Sequence, residues 1–204
     1  KAHITSVLGE DRENFSRHVF RGGNFFMPQI FKKYHKDLGL VALPEDLDQA
    51  VRETEKNLQE GAAQVEIENA RISENRLVAD LVVTNLTGHK LPTAYPSRRA
   101  WIHVTVWDSA DRIVFESGRV NPDGSIEGNI NDVDKERYEE HHARIDAPDQ
   151  VQIYEAIMAN PQGEVTTGLI EAIRFIKDNR VLPNGFDKST APEDIAVQGR
   201  GAEY

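Results

Sequence analysis

Cysteine is absent from this 204-residue chain, and its absence excludes several chemistries. No disulfide can staple the fold, no thiolate can hold zinc or an iron–sulfur cluster, and no C-x-x-C-H motif can attach haem. Long apolar runs are missing too. No stretch of about 18 apolar residues exists, so no membrane-spanning helix is expected. Basic charge is scarce: 24 Lys and Arg stand against 34 Asp and Glu, a formal net charge of −10. That balance disfavours a nucleic-acid partner, because phosphate binding needs a basic face. It suits a basic partner, although most acidic surfaces merely keep a protein soluble. The chain begins at Lys1 without a signal-peptide pattern, as expected of a processed protein or an excised portion.

What remains is ordinary globular material, 39% hydrophobic and 28% charged. Its apolar period changes near Ala62. Before it, Phe26, Ile30, Phe31 and Tyr34 recur at helical spacing over Phe25–Leu38, with Gly39 as a stop. Pro44 opens a firmer helix with Glu45 and Asp46 in its first turn, a stripe of Leu47, Ala50, Val51 and Leu58, and Gly61 at its end. After Ala62 the period is two. Val65 and Ile67 alternate with glutamates, Ser73-Glu74-Asn75 turns, and Leu77–Thr84 returns as a hairpin. Ala100–Trp107 and Ile113–Phe115 make a second hairpin about Asp108–Asp111. Val151–Met158 is a further strand, Asn160-Pro161-Gln162-Gly163 a turn, and Leu169–Lys177 fits a strand better than a helix. Two to three helices followed by at least five antiparallel strands imply a mainly β protein. The expected architecture is an immunoglobulin-like β-sandwich over 62–204 with a helical N-terminal arm over 1–61.

Two long irregular stretches interrupt the strands. Asn121–Asp149 carries nine Asp and Glu against three Lys and Arg, including Glu139-Glu140-His141-His142. Adjacent histidines on extended chain point to opposite faces, and no H-E-x-x-H is present, so metalloprotease chemistry has no support. Counted from Asn129 or from Asp132, the sixth position is Asp134 or Arg137 and not the Gly of an EF-hand Ca²⁺ loop. The stretch reads as a solvated acidic loop, with an irregular Ca²⁺ site as the minority alternative. Nucleophilic catalysis fares no better. There is no G-x-S-x-G, and Ser97 has no indicated base. Trp101 and Trp107, expected on one strand face, suit sheet packing better than a carbohydrate platform. His103, beside Trp101, is also expected to pack.

The second stretch, Asn85–Arg99, joins two strands by too many residues for a tight hairpin. It is pinned by Pro92 and Pro96 and carries Gly88, His89, Tyr95, Lys90, Arg98 and Arg99. A long polar loop held by two strong strands is where function is placed.

The run TNLTGHKLPTAYPSRRAWIHV at Thr84–Val104 resembles the pattern T-N-x-T-G-H-K-x-P-T-G-x-P-x-R-x-x-W-x-x-V. That pattern belongs to the cysteine-free domain following the haem-bearing part of some bacterial multihaem c-type cytochromes. SRHVFRGGNFFM at Ser16–Met27 and IKDNRVLPNGF at Ile176–Phe186 fit the same family. The chain departs at Ala94, where the pattern has Gly. The resemblance implies a periplasmic or extracytoplasmic, non-catalytic module that covers haem c carried by a neighbouring region and supports electron transfer. It implies His89 first and His18 second as candidate axial ligands to haem iron, with Arg98 and Arg99 near propionates. The alternative for His89 is a loop histidine hydrogen-bonded to its own turn. The alternative for the whole chain is a stand-alone binding module for Ca²⁺, carbohydrate or a partner protein.

Overall fold

The computed structural model describes residues 2–3, 11–12, 21–193, 195–197 and 199. Contacts divide the chain into two units, Lys1–Gly61 and Ala62–Tyr204.

In the first unit, strands β1 (Ala2–His3) and β2 (Asp11–Arg12) pair antiparallel, a feature the sequence pattern does not announce. Helix α1 (Phe26–Lys33) begins where the Asn24 Oδ1 accepts the Met27 N–H. It is shorter than the periodicity predicts. From Tyr34 the chain coils into turns that end at Gly39, whose φ of +60° is left-handed. Helix α2 (Pro44–Glu60) starts with proline at its first position, where the missing N–H costs nothing. Its inner face also differs from expectation: Leu47 and Val51 are half-buried and Thr54 is buried, while Ala50 and Leu58 are exposed. The Lys32 ammonium joins α1 to α2 through Asp48 at 2.6 Å.

The second unit is mainly antiparallel β. Strands β3 (Ala63–Ser73) and β4 (Arg76–Asn85) form the expected long hairpin. Its two-residue turn, Glu74-Asn75, has φ of 49° and 62°, the left-handed pair that matches strand twist. A bulge between Glu68 and Arg71 re-aims β3, with Asn69 donating to Asp80 across the pair.

The expected strand Ala100–Trp107 is two strands. β5 (Arg99–Trp101) pairs with β8 (Ile153–Ala159), and β6 (Val104–Trp107) pairs with β7 (Ile113–Ser117). Between them the Ile102 N–H still donates to Gln152, after which the chain changes partner. Gly118 makes this crossing possible: a Cβ there would stand 2.5 Å from the Ile102 carbonyl oxygen. Trp101 and Trp107 therefore lie on different strands. The Trp101 Nε1–H donates to the Gly118 carbonyl, and Trp107 is 57% exposed. His103 sits between the two strands, its Nε2 2.9 Å from the Glu116 carboxylate, which corrects the packing role expected of it.

Strand β8 is the spine of the unit. It is flanked by β5 and β9 (Val165–Thr166) and by β10 (Arg174–Asp178). The strand expected over Leu169–Lys177 begins only at Arg174, because Gly168 closes a turn that accepts the Glu171 and Ala172 N–H groups. That turn leaves Ile170 99% exposed. The buried cluster is small: Ile126, Val151 and Ile153. Ile126 comes from the acidic stretch, which is more than a solvated loop. It contributes helix α3 (Ile130–Val133) and a β-bridge between Val120 and Ile126, and it buries Glu139.

Candidate functional site

The Asn85–Arg99 loop is organised by its first residue. Asn85 ends β4, is 2% exposed, and uses both ends of its amide. Its Oδ1 accepts the Thr87 N–H at 2.8 Å and the Thr87 hydroxyl at 2.7 Å. Because Oδ1 faces an N–H, the Nδ2 must face carbonyls, and it donates to His89 at 2.6 Å and Val181 at 3.0 Å. The loop is thereby wrapped around one buried side chain and fastened to the chain after β10. Two backbone hydrogen bonds between Leu91 and Val181, each 2.9 Å, complete the attachment. The Leu91–Pro92 peptide is cis.

His89 is exposed, and its ring is held through Nδ1, which lies 3.1 Å from both the Lys90 carbonyl oxygen and the Thr87 Oγ1. A carbonyl can only accept, so Nδ1 carries the proton. In the neutral ring the Nε2 lone pair is then the free coordinating position. Fixing one nitrogen by hydrogen bonding while the other binds is how metal-ligating imidazoles are oriented.

His141 has the opposite arrangement. Gln152 Oε1 accepts the His142 N–H, which turns its amide nitrogen onto His141 Nδ1 at 2.8 Å. Asn179 Oδ1 accepts the Glu155 N–H, which turns its own amide onto the same Nδ1 at 3.1 Å. Nδ1 of His141 is therefore an acceptor, and the proton sits on Nε2. His142 points elsewhere, its Nε2 2.5 Å from Glu139. The two adjacent histidines do not converge. Among the described residues no group of three or more His, Cys, Asp or Glu side chains is placed to hold a metal ion.

The arginines of the loop have different duties. Arg99 is committed: its guanidinium lies 2.6 Å from Asp132, whose other oxygen accepts the Ile126 N–H at 2.7 Å. Burial pushes the Asp132 carboxyl up, but the Arg99 and Ile126 hydrogen bonds outweigh it and hold the group below the usual carboxylate range. Arg99 thus ties β5 to the acidic stretch. Arg98 is half-buried and closes a turn by donating its N–H to Tyr95, whose hydroxyl donates to Thr167 at 2.7 Å. His18 lies outside the described residues.

No family model, curated protein or solved structure matches this chain.

Several residues of the site escape sequence reading. Asp178, 1% exposed, receives the Lys90 ammonium at 2.7 Å on one oxygen and a two-pronged grip from Arg180 at 2.7 and 2.8 Å. Burial raises its carboxyl pKa, but Arg180 and Lys90 prevail and hold it low. One residue away, Lys177 is 1% exposed and donates to Glu155 at 2.8 Å and to the Ile153 carbonyl at 3.2 Å. Burial drives the Lys177 pKa down, against the pull of Glu155. The sequence signal for these pairs is slight: adjacent charges of opposite sign, Lys177 and Asp178, follow Phe175 and Ile176 in β10.

Proposed function

We propose that this chain is a non-catalytic module of a multihaem c-type cytochrome, its strands packed as an immunoglobulin-like sandwich, outside the cytoplasm. It covers haems carried by a neighbouring region and offers His89 Nε2 as an axial ligand. The observation that carries the reading is the orientation of His89. Its Nδ1–H is held by the Lys90 carbonyl and its second nitrogen is left to coordinate. The resemblance of Thr84–Val104 to the cysteine-free cytochrome domain supplies the metal's identity. With no cysteine to form thioether links, the isolated chain is expected to be colourless.

The test is His89→Ala in the haem-bearing polypeptide, followed by electron paramagnetic resonance and redox titration. Loss of one low-spin signal with folding intact supports ligation, since an axial imidazole sets spin state and potential. Unchanged spectra with a lowered melting temperature would falsify it and leave His89 a turn-stabilising residue.

A further inference from the structure

The group around Asp178 is unbalanced. One carboxylate serves two cations, and both are partly enclosed: the Lys90 side chain is 23% exposed and that of Arg180 13%. Arg180 spends its Nε and Nη2 on Asp178 and lies 5.5 Å over the Phe175 ring. Its outer Nη1 edge has no part in that grip. Lys90 commits one of three ammonium protons to Asp178. The two cations flank the Leu91–Val181 bridge, which is the attachment of the His89 loop. Among the described residues the Asp178 group thus keeps one positive charge in excess, with donors not spent on Asp178, next along the chain from the exposed His89. In a partly enclosed site that excess is felt more strongly than at a solvated surface.

We propose that Lys90 and Arg180, assembled on Asp178, form a carboxylate-binding site at the foot of the His89 loop, and that a haem propionate is its ligand. The haem source rests on the function proposed above; the carboxylate chemistry does not. The site takes the role that the resemblance gives to Arg98 and Arg99, of which Arg99 is occupied by Asp132. Asp178 is the positioning residue, and the two cations are the ones that touch ligand.

The experiment titrates three probes into the full chain: ferric mesoporphyrin IX with its two propionates, the same porphyrin as its dimethyl ester, and succinate. The diacid is expected to bind about tenfold more tightly than the diester, the scale of one charge-assisted hydrogen-bond pair. Lys90→Gln keeps the Asp178–Arg180 grip but removes the excess charge, and should cut that preference to about twofold or less, whereas Lys90→Arg should retain it. Histidine ligation is read separately from the Soret band: His89→Ala should abolish the Soret shift and leave the diacid preference in place. If succinate alone raises the melting temperature of the unaltered chain but not of Lys90→Gln, the site stands with a free carboxylate as its source. Should Lys90→Gln fail to fold, competition in the unaltered chain decides, because excess succinate must displace the diacid and not the diester. Equal affinity for diacid and diester with no effect of succinate, or no binding of any probe, overturns the proposal. Neither outcome bears on the spectra of His89→Ala in the haem-bearing polypeptide, which judge the proposed function.

Discussion

Replacing Asn85 with alanine removes four hydrogen bonds from a side chain that is 2% exposed. The partners differ in what they lose. The Thr87 hydroxyl can donate instead to the His89 carbonyl, 3.0 Å away, so that bond costs little. The Val181 carbonyl keeps the Leu91 N–H and the His89 carbonyl keeps the Thr87 hydroxyl, so the Thr87 N–H is the group left without a partner. An N–H left unsatisfied costs about 1–3 kcal/mol, and the other lost bonds together add about 1 kcal/mol, for roughly 2–4 kcal/mol in all. At about 2–4 °C per kcal/mol for a unit of this size, the melting temperature should fall by about 5–15 °C. Asn85→Asp is the sharper variant. It keeps the oxygen facing Thr87 but turns a second oxygen toward two carbonyls, so it should be at least as unstable as Asn85→Ala. Urea unfolding read by circular dichroism gives both values. An Asn85→Ala change below about 0.5 kcal/mol, or an Asn85→Asp protein as stable as the parent, would refute the claim that this amide holds the loop.

Lys177→Met should destabilise by about 3–5 kcal/mol, because it leaves the Glu155 carboxylate buried without its partner. Adding Glu155→Gln should recover more than about 1 kcal/mol of that in a double-mutant cycle, and additive losses would show the two are not coupled. The pKa of Lys177 is lowered in the fold. Between its folded value and its ordinary value of 10.5 the unfolded chain therefore holds the extra proton. Its contribution makes stability rise with pH across that window, and Lys177→Met should lose the rise in urea titrations. Ala94 sits at φ 68°, where a Cβ is strained, so Ala94→Gly should stabilise by about 0.5–1 kcal/mol despite the added freedom of the unfolded chain. No gain in midpoint denaturant concentration would mean the loop absorbs that strain elsewhere.

The left-handed backbone at Ala94 favours a residue without a Cβ, a local requirement. The sequence carries such information wherever one residue and its near neighbours decide the outcome. Two-residue alternation determines the β3–β4 hairpin, and Glu74-Asn75 turns it. Proline at the first position starts α2. The change of period at Ala62 coincides with the boundary between the two units.

Tertiary structure decides whatever depends on a partner distant in the chain. Ala100–Trp107 alternates without interruption, yet it divides between β8 and β7 because Gly118 lets the backbones cross at Ile102. Leu169–Lys177 is apolar enough for a strand throughout, and the Gly168 turn takes its first half. The acidic stretch shows no period, so nothing local announces that Ile126 and Glu139 are buried. The site follows the same division. Thr84–His89 contains its own turn: Asn85, Thr87 and His89 bond to one another within four residues. What fixes that turn in place, Asn85 to Val181 and Lys90 to Asp178, spans 96 and 88 residues. Contacts at such separation leave no periodic mark, because they arise from the register of β10 against β8 and not from the residues beside them.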